Sequence, residues 1–343
     1  VRFSRVESLG VFLPPDRRST AQLLDALSVT PPFDLQAVTG IEQHRVTTSD
    51  CTALAADAAR DALSRSSYAP GELDVVISCS ISRFHDGSRL TFEPALATHI
   101  ARSLGAVQAI QFDVSNACAG MMTGVLVLDR LIRAGVVRNG LVVSGERITP
   151  IADTAVREID RDDDLQFASL TVGDSAAAVV LDESVDEHDR IHHIEMMSCA
   201  EYAGLCLGMP SNRTQGVALY TDNRRMHNKD RLRLWPDLHR LVLEKAGTTF
   251  AGEGYDHLIH HQVGAVAIRN FQRCGEAAFG VPMPDSPTVY EQYGNTASTS
   301  HFLALHDHLR RAPLRGPRKY LFVPAASGLV TGFMSATVSK LEV

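Results

Sequence analysis

Alternation constrains this chain more than any other feature. Short apolar runs of strand length, Leu73–Ser78, Ala109–Val114, Gly140–Ser144 and the Gly173–Leu181 turn and strand, are separated by longer segments of helical period, Ala53–Leu63, Pro94–Leu104 and Gly120–Ala134. Apolar runs of this length are strands buried on both faces, and strands alternating with helices define an α/β architecture. The segment Gly120–Ala134 is apolar nearly all round, which places it inside a core. After a polar stretch, Asp182–Arg190, the pattern resumes: strands at Ile191–Ser198, His257–His261, Tyr320–Val323 and Phe333–Lys340, and helices at Arg231–Ala246, Ala265–Phe279 and Thr299–Arg310. The order β, α, β, α, β, β occurs twice without a residue-level repeat. A chain of 343 residues exceeds what one core usually supports. It therefore divides into two half-domains, 1–185 and 186–343.

Charge and cysteine usage narrow the function classes. A net charge of −7 argues against a nucleic-acid groove, which needs a basic face. No apolar run is long enough to span a bilayer, and no secretory apolar segment opens the sequence. The six cysteines, at 51, 79, 118, 199, 206 and 274, form no C-x-x-C pair. A zinc site is therefore not expected, and free thiols point to the reducing cytoplasm.

Phe112-Asp113-Val114-Ser115-Asn116-Ala117-Cys118-Ala119-Gly120 places one of those cysteines where a buried strand gives way to a buried helix. The unpaired N–H groups and dipole of a helix start favour a thiolate there. Small neighbours allow an acyl chain to approach. A buried cysteine is equally often a small core residue, so the segment alone leaves nucleophile and core filler open. The other five cysteines lack this context and read as structural. Acyl chemistry at a thiol needs partners that move protons or donate to a developing oxyanion. Two turns at element ends supply them: His260-His261-Gln262 and Tyr293-Gly294-Asn295-Thr296. Taken singly, the first reads as a strand-end histidine and the second as a turn former.

Together these segments resemble the ketosynthase III (β-ketoacyl-ACP synthase III-like) branch of the thiolase superfamily over nearly the whole chain. Asn116-Ala117-Cys118, His261-Gln262 and Tyr293-Gly294-Asn295-Thr296 match its Cys, His and Asn motifs in order and at similar spacing. Thr39-Gly40-Ile41, Gly173-Asp174-Ser175-Ala176-Ala177 and Ala326-Ser327-Gly328 match its glycine turns. The resemblance implies an α/β fold of five layers, α-β-α-β-α, made of two similar halves with the active site between them. It implies a homodimer, no metal and no bound organic cofactor. Substrates would be acyl groups carried on coenzyme A or acyl carrier protein, with no nucleic acid or membrane partner. Cys118 would take the acyl group, and His261 and Asn295 would donate to an enolate formed when a malonyl-type donor loses carbon dioxide. The N–H groups of Cys118 and Gly328 would form the oxyanion hole.

The sequence also departs from the fatty-acid initiators of that branch. The run His261-Gln262-Val263-Gly264 lacks their Asn and Arg, and Glu42 follows the Thr39-Gly40-Ile41 turn where they have Arg. His-Gln-Val and Ser327-Gly328-Leu329 are similar to the head-to-head acyl-CoA condensing enzymes of olefin biosynthesis. Glu93 sits where those enzymes carry a base reaching across the dimer, and such a base implies condensation without decarboxylation. The plain alternative for Glu93 is a helix N-terminal carboxylate. A third reading is transfer of the acyl group from Cys118 to a hydroxyl or amine, with His261 as base; Asn295 argues for enolate chemistry instead. Tyr202–Asn228, poor in periodic signals, reads as an insert covering the site, and Arg147, Arg213, Arg224 and Arg225 as a candidate basic entrance.

Overall fold

The computed structural model describes residues 2–87 and 89–343. Its first sheet contains β1 (Phe3–Phe12), β2 (Val75–Ser78), β3 (Ile110–Asp113), β4 (Asn139–Glu146) and β5 (Ser175–Ser184) in the order β1-β5-β4-β2-β3. β2 runs parallel to β3 and β4, whereas β5 is antiparallel to both its neighbours. The second sheet contains β6 (Arg190–Ser198), β9 (His257–His260), β10 (Arg318–Val323) and β11 (Val330–Val338) in the order β6-β11-β10-β9; β7 (Cys206–Pro210) and β8 (Val217–Thr221) form a separate hairpin.

This is the order of the first sheet with its third strand missing. A single parallel bridge, His257 to Asp285, marks the vacant place beside β9. Pro282, Pro284 and Pro287 explain the loss, because proline has no N–H to give to a ladder. The duplication inferred from element order is thus visible in the strand order, and one proline-rich segment hides its last member.

Period-2 patterning sorts the side chains into layers. Val76, Leu141, Val143, Ala176, Ala178 and Val180 pack outward against α1 (Cys51–Arg65) and α2 (Leu96–Leu104). Val75, Ile77, Val142, Ala177, Val179 and Leu181 face inward onto α3 (Gly120–Arg133). The same core takes in Ile259, Tyr320, Phe322 and Met334 from the second sheet and Phe302, Leu305 and Leu309 from α6 (Ser300–Arg311). On the far side Leu258, Leu321, Val323 and Phe333 meet α4 (Leu234–Lys245) and α5 (Ala265–Phe279). The five layers are therefore α, β, α, β, α, with α3 and α6 in the middle.

Several boundaries differ from the sequence reading. The helix expected from Pro94 begins at Leu96, because the carboxylate of Asp113 accepts from the Leu96 and Ala97 N–H groups, both at 2.9 Å. The helix expected over Arg231–Ala246 is two pieces, Lys229–Leu232 and α4. The stretch Tyr202–Asn228 contains the β7–β8 hairpin, and β1, in a region where no strand was expected, lies at an edge of the first sheet.

The second half buries an unusual number of histidines. Burial holds His239 and His260 down to about 3 and His301 to about 4. Each folded value lies below the unfolded one of 6.5, so the unfolded chain binds more protons as the pH falls from 6.5. The stability these neutral rings contribute is complete above pH 6.5 and is lost below it, by about 1.4 kcal/mol per group per pH unit. Asp174, held up to about 6 by burial, acts in the opposite sense, while His44 and His192, each held down to about 4 by burial, add to the histidine effect. The urea midpoint is therefore expected to fall steeply between pH 6.5 and 5, and a midpoint unchanged over that range would contradict the burial described.

Candidate active site

The middle helices α3 and α6 each begin in the same unusual way. A one-turn 3-10 segment precedes each: Ala117–Ala119 before α3 and Ala297–Thr299 before α6. Each opens on an alanine with positive φ, +47° at Ala117 and +55° at Ala297. Non-glycine residues seldom adopt that region, and such strain collects at functional sites. The two turns pack on each other, so the head of one central helix meets the head of the other across the halves.

Cys118 lies within the first turn. Asn116 anchors it by donating from Nδ2 to Thr123 Oγ1 at 2.8 Å. The bonds closing the turn run from Ala119 and Gly120 to Asn116 and Ala117, leaving the Cys118 N–H outside them. The side chain is partly buried and packs on two apolar clusters, one holding Ile148, Ile151, Val172 and Ala297 and the other Ala326 and Val330. The helix start was expected to favour a thiolate. Burial instead pushes the Cys118 thiol well above its ordinary range, and Cys206 and Glu146 nearby act in the same direction. Cys118 stands in the turn ahead of α3 rather than on its first residue, and loss of water outweighs the backbone hydrogen bond at Cys118 that acts the other way.

His261 follows β9, its N–H donating to the Val323 carbonyl at 3.2 Å. Its Nδ1 is 2.6 Å from Ser300 Oγ at the first residue of α6, and both residues are buried. Burial, reinforced by His301 and His227, drives the imidazole far below its usual range, so it is neutral at neutral pH. A neutral thiol and a neutral imidazole together make a specific pH prediction. Alkylation of Cys118 by iodoacetamide in the free enzyme should be slow at pH 7 and still rising past pH 9, because only the thiolate reacts. A plateau already reached below pH 7 would reveal a thiolate–imidazolium pair and contradict this electrostatic picture.

Asn295 is fixed by its backbone and its side chain. Its N–H donates to Thr171 at 2.8 Å and its carbonyl accepts from Gly173 at 3.0 Å. Close approach requires glycine here. Gly294 has φ +68°, and a β-carbon on it would lie 2.6 Å from the Thr171 carbonyl. The Asn295 Oδ1 accepts from the Ala297 N–H at 3.0 Å. The amide oxygen is thereby occupied, and Nδ2 is the end left to donate.

The Ser327–Gly328 loop reaches the same place. Ala325–Ala326 pairs with β11, and Ala326 packs with Cys118. Gly328 has φ +115°, a left-handed conformation that excludes other residues, although a β-carbon would meet nothing closer than 3.7 Å. The structure thus gathers Cys118, the Asn295 turn and the Gly328 loop around one point, with His261 joined through Ser300.

Other expected residues fare differently. Glu93 is exposed and precedes α2, whose first N–H groups Asp113 occupies; the role of helix N-terminal carboxylate belongs to Asp113. Arg147 is buried, donates to the Gly87 carbonyl and lies over Phe84, and Arg213 pairs with Asp160 and Asp164, so neither is a free entrance charge. Three neighbours of the site were not singled out from sequence. Cys206, carried by the hairpin, has its sulfur 2.9 Å from Ser327 Oγ. Glu146 is fully buried and accepts from the Ile81 and Ser82 N–H groups and from Ser144 and Ser298. Ser300 is the third. The only signal for them was position at the end of an element facing the glycine turns.

The structure is thus a duplicated five-layer α/β chain with a cysteine heading one central helix and an asparagine turn heading the other. Residues 112–200 match the family described as 3-Oxoacyl-[acyl-carrier-protein (ACP)] synthase III, and residues 243–338 match its C-terminal part. The chain belongs to that family. It is 28% identical to the β-ketoacyl-[acyl-carrier-protein] synthase III of Listeria welshimeri over 320 residues, 93% of this chain and 94% of the relative. It is 26% identical to the Aquifex aeolicus synthase over 340 residues, 96% and 97%. Among solved structures, cerulenin-bound OleA from Xanthomonas superposes with a TM-score of 0.83 at 22% identity, covering 98% of both chains. FabH from Pseudomonas aeruginosa does so at 0.79 and 23%, covering 100% and 99%. The structural likenesses establish the thiolase-like fold.

Proposed function

We propose that the protein condenses an acyl thioester with a malonyl-type donor through an acyl group carried on Cys118. The observation that carries this reading is the tethering of Asn295 Oδ1 to the backbone, which leaves Nδ2 free to donate, on a segment whose 3-10 turn packs on the turn that carries Cys118. Transfer to a hydroxyl or amine needs no such second donor. In the first step the Cys118 sulfur replaces coenzyme A or a carrier thiol on the acyl carbon, and the displaced thiol leaves with the proton. The N–H groups of Cys118 and Gly328 hold the tetrahedral oxyanion. In the second step the donor loses carbon dioxide, and His261 and Asn295 donate to the enolate oxygen more strongly than to the neutral carbonyl. The enolate carbon attacks the acyl-Cys118, giving a β-ketoacyl thioester, and the Cys118 thiol is restored by one proton. No metal or organic cofactor takes part in this scheme.

The working unit we propose is a cytoplasmic homodimer. The outer strand β3 lies at the edge of the first sheet with Ile110 58% exposed, an open edge that a second copy would pair. Phe92 (72% exposed) and Glu93 lie just ahead of the helix that Asp113 of β3 caps, on the same border. A carboxylate there could serve the partner's site as the base of a condensation without decarboxylation. Product analysis with acyl-CoA and malonyl thioesters decides among the readings. Carbon dioxide and a β-keto thioester in equal amounts, undiminished in Glu93→Ala, are expected. Ester or amide products alone would overturn the proposal, and β-keto product formed from acyl-CoA alone and lost in Glu93→Ala would replace it with the non-decarboxylative route.

A further inference from the structure

We infer that Ser300 is a positioning residue that holds His261 with its proton on Nε2, so that His261 acts as a hydrogen-bond donor. The inference rests on the assignment of His261 to the condensation step. Ser300 Oγ lies 2.6 Å from His261 Nδ1, and the two side chains are 0% and 3% exposed. A serine hydroxyl carries one hydrogen and accepts on its lone pairs. Among the described residues no other hydrogen-bond partner of Ser300 Oγ is present. If the imidazole donated to it, the serine hydrogen would be buried without an acceptor, which is costly. The satisfied arrangement has Ser300 O–H donating to Nδ1, which puts the single proton of the neutral ring on Nε2.

The chain layout gives this contact a purpose. Asn295 and Ser300 lie five positions apart on one turn that leads into α6. The turn ties the amide oxygen of Asn295 to the Ala297 N–H and the ring Nδ1 of His261 to Ser300. In both residues the acceptor is occupied by the turn, and a nitrogen donor remains. Two nitrogen donors held by one turn suit an enolate oxygen. A ring already protonated on Nε2 cannot take the Cys118 proton, so acyl transfer to Cys118 proceeds without His261 as base. Ser300 thus acts through His261 alone and makes no contact with substrate.

The test uses the full-length enzyme labelled with nitrogen-15 in histidine. The resting protein should show the His261 ring as the Nε2–H tautomer, assigned by its loss in His261→Ala, whether or not any carbon–carbon product is ever found. In Ser300→Ala the tautomer signal should shift or broaden. Condensation should fall roughly tenfold to a hundredfold in kcat, with the rate of Cys118 acylation within about twofold of the parent, since a misplaced acid–base group loses effects of that order. Ser300→Thr, which keeps the hydroxyl, should restore both tautomer and kcat. An Nδ1–H tautomer in the parent enzyme would overturn the inference. So would equal losses in acylation and condensation in Ser300→Ala, the mark of a merely structural role. If Ser300→Ala fails to fold, the tautomer of the parent and the behaviour of Ser300→Thr still decide.

Discussion

Replacing Cys118 with alanine leaves a folded protein that takes up no acyl group and loses condensation by about 10⁴-fold or more, as removal of a catalytic nucleophile does. The substitution removes only a sulfur that is partly buried, in a turn closed by backbone bonds of Ala119 and Gly120. Stability should therefore change by no more than about 1 kcal/mol, the range of a small side-chain truncation away from a full cavity. Cys118→Ala should still unfold as one transition with the parent's urea midpoint nearly unchanged. The other cysteines offer the control. Cys274 is carried on α5 in the far layer, so Cys274→Ala should leave acyl uptake intact. Radiolabelled acyl-CoA, trapped on denatured protein, checks both variants. Acyl label retained on Cys118→Ala would move the nucleophile elsewhere.

His261→Ala and Asn295→Ala should separate the two halves of the reaction. Each variant is expected to form acyl-enzyme within a few-fold of the parent rate. Each should then lose roughly 10²–10³-fold in condensation, the usual cost of removing one donor to a developing oxyanion. The two losses should not add fully, because both donors serve one oxygen. Burst measurements of acyl uptake, set against steady-state release of carbon dioxide, read the two steps separately. His261→Ala also empties a buried site lined by His301 and Ser300, so some loss of stability accompanies it. Asn295→Ala frees one backbone N–H, that of Ala297, and is the cleaner probe. Equal loss of acyl uptake in Asn295→Ala would contradict the division of labour.

Much of this was legible in the chain. Element order gave the duplication because each buried strand is a short apolar run and each crossover helix a longer periodic one. The third strand of the second half escaped because Pro282, Pro284 and Pro287 leave it a single bridge. β1 escaped because Ser4, Ser8 and Gly10 hold buried positions in it and leave no continuous apolar run. Cys118, His261 and Asn295 were ambiguous one by one and stood out only because their segments, in order and spacing, resemble the motifs of one family. The electrostatics of the site were not legible. A helix start suggested a thiolate, but the balance turns on burial, which depends on side chains from Ile148, Val172, Ala297 and Ala326, far apart in sequence. Ser300 and Cys206 were invisible for the same reason, since their importance lies in a partner 39 and 121 positions away.

The proposed reaction turns on a covalent acyl group on Cys118 that a malonyl-type donor discharges. Intact-protein mass spectrometry after mixing the enzyme with a panel of acyl-CoAs measures this directly, with malonyl-CoA or a malonyl carrier protein added in a second step. A single acyl adduct is expected for the preferred chain, mapped to the peptide containing Cys118, and it disappears when the malonyl thioester is added and carbon dioxide is released. An adduct that survives every malonyl donor but is discharged by an alcohol or amine would contradict the proposed reaction.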